Sequence, residues 1–205
     1  MSDLRRPNFP IEPLILNRWS PRAFVPQSMP YNDLATMFEA ARWAPSAYNQ
    51  QPWRFHYALR DDANWLSFLD LLDPFNRGWA QHASALVFVF SARSSRGRDD
   101  KVRAIPSHSF DTGAACTLFS LQATALGYHA HTVAGLDYEA ARQQLAVPQN
   151  MAVEVAIAVG RRANPETLPT ELQQRERPST RLPLSERFFA GPFAGEPQTQ
   201  RELPQ

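Results

Sequence analysis

Residues 44–55 read Ala-Pro-Ser-Ala-Tyr-Asn-Gln-Gln-Pro-Trp-Arg-Phe, and between the two prolines stand one aliphatic hydroxyl, Ser46, and three amides, Asn49, Gln50 and Gln51. Amides donate and accept at once, so this set suits the edge of a flat heteroaromatic ring better than it suits a metal or a phosphate. Upstream lies Arg18-Trp19-Ser20-Pro21-Arg22. In an extended segment alternate side chains share one side, so two guanidinium groups and a hydroxyl can converge on one phosphate or anionic ring edge. Taken singly, each run has a plainer account, as a helix stop followed by a polar loop and as a solvated basic turn.

Other chemistry finds less support. The five histidines form no metal pattern, and His129 and His131, alternating on an extended segment without a carboxylate or cysteine at ligand spacing, read as surface residues. No glycine-rich dinucleotide fingerprint, P-loop or nucleophile elbow occurs, and nothing in the spacing points to a Ser-His-Asp triad. The one cysteine, Cys116, stands in an apolar, alanine-rich run and reads as a buried structural thiol. With 21 basic and 20 acidic residues the net charge is +1, so no global field favours nucleic acid or an anionic membrane, and any anion site must be local. A single cysteine excludes a disulfide framework and fits a reducing cytoplasm. No apolar run approaches the length of a membrane span, and the amino terminus lacks the apolar core of a signal peptide. A soluble, unprocessed, cytoplasmic protein is expected.

At 205 residues the chain suffices for one domain with a real core. Residues 1–10 read as a loose arm and Ile11 to Asn17 as a short helix. Ser28, Pro30 and Asp33 supply start signals for a helix reaching Ala44, which Pro45 stops. A strand is expected over Phe55 to Leu59, a helix over Trp65 to Leu72, and a turn over Asp73 to Gly78. Ala85 to Phe90 is apolar throughout and reads as a central strand covered on both faces. Residues 91–108 read as a mobile polar loop and a candidate lid. A helix with a small-residue first half follows from Ser109 to Ala125, capped by Gly127. Asp137 caps a helix with Tyr138, Ala141 and Leu145 inward, and Met151 to Gly160 alternates as a strand with Val153, Val155, Ile157 and Val159 on one face. Beyond Arg161 the chain is rich in proline and charge. The division expected is a core over 1–160 and a carboxy-terminal extension over 161–205.

In order and separation, Arg18-Trp19-Ser20-Pro21-Arg22, the Ala44 to Phe55 run, Asn76, Asp111-Thr112-Gly113-Ala114-Ala115, Gly127 and Ala134-Gly135-Leu136-Asp137 resemble the FMN-dependent nitroreductase family. The resemblance implies an α+β fold, a central mainly antiparallel sheet flanked by helices, and an interlocked homodimer with FMN at the subunit interface and tails embracing the partner. It implies a ping-pong reaction in which NAD(P)H is the hydride donor and a small-molecule acceptor, nitroaromatic, quinone-like or otherwise conjugated, takes two electrons; no nucleic acid or membrane partner is expected. Matched by motif, Arg18, Ser20 and Arg22 would meet the phosphate, ribityl chain and pyrimidine edge. Pro45, Ser46, Asn49 and Gln51 would line the flavin, part of the set reaching the partner's cofactor. Asn76 would lie near the pyrimidine edge, the backbone of Ala134 and Gly135 near N5, and Arg181 would be a phosphate-binding cation from the tail. Because hydride chemistry belongs to the cofactor, the absence of an acid/base dyad or metal site fits. Trp79 stands where some relatives carry a cation. Within the fold, reductive dehalogenation or flavin fragmentation are rival reactions, and a non-catalytic flavin-binding module is a rival class.

Overall fold

A strand that is apolar at nearly every position needs cover on both faces, and Ala85–Ala92 is buried at all but its last residue. In the computed structural model, which describes residues 5–193, this strand lies inside a four-stranded sheet. In chain order the elements are α1 (Pro13–Asn17), α2 (Tyr31–Arg42), β1 (Trp53–Leu59), α3 (Trp65–Leu69), α4 (Pro74–Ala80), β2 (Ala85–Ala92), the short β3 (Ser94–Arg96) and β4 (Val102–Ala104), α5 (His108–Ala125), β5 (His129–Val133), α6 (Tyr138–Gln144), β6 (Met151–Gly160) and α7 (Thr170–Gln173). The sheet order is β1-β2-β6-β5 with every neighbouring pair antiparallel, so the fold is α+β with an antiparallel centre, as expected. Of the amino-terminal arm and the 161–205 extension, residues 1–4 and 194–205 lie outside the described residues.

Alternation along β2 divides the core in two. Leu86, Phe88 and Phe90 face a layer containing Phe68 and Leu69 of α3, Trp79 of α4, Ala141 of α6 and Leu172 of α7. Ala85, Val87 and Val89 face Leu34, Met37 and Ala41 of α2 and Ala115, Phe119 and Ala123 of α5. Burying a large side chain of this kind contributes about 1.5–3 kcal/mol.

Four features depart from the sequence reading. The strict alternation of β6 is interrupted: Val89 pairs with Val155 but Phe90 pairs with Val153, so Glu154 is the extra residue of a bulge. The bulge turns Val153 to the face opposite Val155, Ile157 and Val159. The segment from Asp73 does not stop at a turn. Asp73 accepts a hydrogen bond from Asn76 N at 2.7 Å and Pro74 fills the first helical position, which together start α4. Residues 91–108 contain the β3–β4 hairpin, with Arg103 paired to Asp99 and Arg96 to Asp100, so they are not a structureless lid. The fourth departure is Tyr138, which is exposed and turns its hydroxyl to the carbonyls of Ala134 and Glu154.

Two isolated bridges pin irregular segments to this frame. Phe24 pairs with Arg162, fastening the chain after Arg22 to the exit of β6. Leu72 pairs with Leu136, with Asp73 N bonded to Gly135 O at 3.1 Å and Asp137 N to Leu71 O at 2.8 Å. The second bridge sets Asp73 and Asn76 against the Ala134-Gly135 turn.

Candidate functional site

The extended segment after α1 and the carboxy-terminal chain after α7 face each other across a cavity of about 550 Å³. Its lining includes Arg18, Ser20, Arg22 and Arg181, so four residues expected to act together are brought together. Arg5, Arg175 and Arg177 join them, giving six guanidinium groups on one cavity. Arg5 ties the walls: its side chain donates to Leu16 O at 2.7 Å, to Arg18 O at 2.8 Å and to Ser179 O at 3.1 Å. Burial lowers the pKa of Arg5, Arg18 and Arg22, and Arg181 pushes the first two further down while Arg175 does so for Arg22. Cations gathered this way call for an anion. Arg22 Nε is buried with no partner among the described residues, a donor they leave unused.

Glu176 holds the arginine strap in shape. It is 8 % exposed, and its carboxylate accepts from Arg22 N at 2.8 and 3.0 Å and from Ala23 N at 2.9 Å. Its charge also opposes the mutual repulsion around Arg22. Neither Glu176 nor Arg5 carries a sequence signal, since each acts across a long stretch of chain from a charge-rich end.

The Ser46 to Gln51 run forms a braced, exposed loop. A 3-10 turn spans Ala47–Asn49, and Tyr48, Asn49 and Gln51 all take positive φ, at 51°, 55° and 48°. Three non-glycine residues in the left-handed region carry a strain of order 1–3 kcal/mol each. The brace is polar: Gln51 N donates to Ser46 Oγ at 3.0 Å, and Ala47 N donates to Asp111 Oδ2 at 3.1 Å. Ser107 Oγ donates to the same Asp111 oxygen at 2.9 Å. Tyr48 at the tip is 96 % exposed. None of Pro45, Ser46, Asn49 and Gln51 lines the arginine cavity, so a single chain does not unite the two motifs.

Asn76, Ala134 and Gly135 form a third group. Asn76 Nδ2 donates to Asp73 Oδ2 and to Gly135 O, both at 3.2 Å. A Cβ on Gly135 would collide with the Asp73 carboxylate and the Asn76 amide, so glycine is required there by close approach. Asp73, which the sequence pattern offers only as a turn residue, therefore orients both Asn76 and the Gly135 turn.

Behind the arginine cavity, the histidines of β5 are not surface groups. His131 lines the cavity, meets Pro21 O with Nδ1 at 2.8 Å, and lies 4.7 Å from the Trp79 ring at 34°. Burial is the main cause of its lowered pKa of about 4. Trp79 is 2 % exposed and belongs to the core. Cys116 is no nucleophile, its thiol pushed up to about 12 first by burial and then by Glu154. Among the described residues no group of three His, Cys, Asp or Glu is placed to hold a metal ion, and no helix is long and apolar enough to cross a membrane.

The model of the nitroreductase family matches residues 15–70 and 63–161 of the chain. A solved structure described as an oxidoreductase containing FMN is 42 % identical, with a TM-score of 0.92 over 96 % of this chain and 99 % of that one. A nitroreductase from Desulfovibrio desulfuricans, solved in complex with FMN, is 25 % identical with a TM-score of 0.68, covering 88 % of this chain and 96 % of that one. A nitroreductase family protein from Clostridium difficile 630 shares the fold at 21 % identity and a TM-score of 0.66, over 88 % of this chain and 97 % of that one. Among curated proteins none is significantly similar.

Proposed function

This chain belongs to the nitroreductase family, and from that premise we propose that it is an FMN-dependent oxidoreductase. In this reading it takes hydride from NAD(P)H and delivers two electrons, in ping-pong order, to a nitroaromatic, quinone-like or otherwise conjugated small molecule. The observation that carries it is the cavity on which Arg18, Ser20, Arg22 and Arg181 converge. A phosphate needs forked, charged donors, and the unpartnered Nε of Arg22 is one. FMN named for two similar structures supports the cofactor.

Bound FMN supplies the hydride chemistry, and the protein's part is to bind, orient and polarise. Arg18, Arg22 and Arg181 bind the phosphate, with Ser20 beside them. Asn76 and Asp73 hold the Ala134-Gly135 turn, whose backbone would lie near N5 of the ring. Pro45, Ser46, Asn49 and Gln51 would line the flavin, part of the set reaching the cofactor of the other subunit of a homodimer. Support for that last assignment is the loop itself, which holds three non-glycine residues at positive φ, is exposed, and lies apart from the cavity in its own chain. The extension over 161–205 would wrap the core or the partner. The single cysteine supports a cytoplasmic location.

The test of the phosphate assignment is Arg22→Ala. Loss of a charge-assisted contact weakens FMN binding by about 1.5–3 kcal/mol, read as a shift in the dissociation constant by flavin fluorescence. An unchanged constant refutes the role of Arg22. Anaerobic mixing with NADH and NADPH separates the enzyme from a flavin-binding module, because only the enzyme bleaches the bound flavin.

A further inference from the structure

We propose that His131 is a binding residue of this site, its Nε2 accepting a hydrogen bond from a hydroxyl of the ribityl chain between ring and phosphate. The inference rests on the flavin reading and adds a residue to it. Every guanidinium on the cavity wall is a donor with no acceptor capacity. Such groups satisfy phosphate oxygens but cannot accept from the hydroxyl protons of a polyol, which need an acceptor among the other lining side chains, Ser20, His131, Gln174, Ser179 and Thr180. Ser20 Oγ accepts from Arg18 at 3.4 Å and Ser179 Oγ from Arg181 at 2.9 Å, so each has one of its two lone pairs engaged.

His131 supplies what the arginines lack. A carbonyl only accepts, so the 2.8 Å contact with Pro21 O fixes the ring proton on Nδ1 and leaves a lone pair on Nε2. Two residues away, His129 Nδ1 is sealed in without a partner among the described residues, whereas His131 Nε2 is not sealed and its ring lines the cavity. Packing against Trp79 holds the ring, so the lone pair is aimed in advance. Burial and the charges of Arg22 and Arg18 keep the imidazole neutral, with a pKa of about 4, so the acceptor persists through the neutral range.

The test uses the full chain, FMN, and an FMN analogue whose ribityl hydroxyls are replaced by hydrogen. His131→Phe keeps a ring against Trp79 and removes the acceptor; His131→Gln keeps an acceptor and removes the ring. The wild type is expected to prefer FMN over the analogue by at least about tenfold, about tenfold being the worth of the one hydrogen bond to His131. In His131→Phe that preference falls by about tenfold through weaker FMN binding, while affinity for the analogue is held. In His131→Gln part of the preference survives. Equal losses for both ligands, or a preference intact in His131→Phe, overturn the inference and leave the flavin reading standing. If His131→Phe fails to fold, an abolished preference in His131→Gln overturns it. A wild type that binds neither ligand overturns both.

Discussion

Each arginine of the cavity would be unremarkable in solvent; what gives the group meaning is that burial and mutual repulsion leave it short of negative charge. Glu176 meets part of that shortage while shaping the backbone of Arg22 and Ala23. The histidines respond to the same field. His131 falls from an ordinary value of 6.5 to about 4, through burial first and then Arg22 and Arg18, against a raising contact from Pro21. His129 is lowered by burial, Arg162 and Arg18. Between the folded and unfolded values the unfolded chain binds more protons, so stability rises with pH across this window and is lost as pH falls from about 6.5 towards 4. For His131 the slope is at most about 1.4 kcal/mol per pH unit. Urea unfolding at pH 7 and pH 5 is expected to show a smaller acid loss in His131→Phe than in the wild type; parallel losses contradict this. Arg18, Ser20 and Arg22 were legible in the sequence because alternate spacing aims side chains together. His131 was not, since burial by Trp79 and Pro21 is tertiary, and Glu176 lies 154 positions from its partner Arg22.

At the scale of elements, apolar runs with clear boundaries were read well. β2 and the helices around it follow from periodicity, since nothing but a doubly covered strand suits Ala85 to Phe90. Punctuation was read less well. Asp73-Pro74 has the chemistry of a helix start, yet Asn76 and Gly78 mimic a turn, and the bridge of Leu72 to Leu136 decides the matter from outside the segment. The bulge at Glu154 has no local mark in the alternating strand. Instead the carboxylate is drawn to Ser91, and to Ser109 Oγ at 2.6 Å, at the start of α5. Asp73 is the element-scale hinge of the site, capping α4 and bracing Asn76. Asp73→Ala is expected to lower unfolding free energy by about 1–2 kcal/mol, a lost cap with its side-chain bond. It should also speed amide exchange at Gly135 and Leu136. Unaltered exchange there would mean that the turn is held by the sheet alone.

For the whole molecule, the separation of the amide loop from the arginine cavity is the fact that a monomer leaves unexplained. The proposed second copy would resolve it, and Phe110 on α5, 82 % exposed, and Tyr48, 96 % exposed, are open to contact with one. Sedimentation equilibrium is expected to give a dimer, and a monomeric mass at working concentration contradicts the shared site. Family membership was legible because the motifs stand in order along the chain. The acceptor was not, because no cavity residue beyond the arginine cluster names one. The most direct measurement on the central claim is the visible absorption spectrum of the purified protein, before and after added FMN. A yellow protein is expected, with stoichiometric flavin released as FMN on denaturation. Colourless protein that takes up no added FMN contradicts that claim.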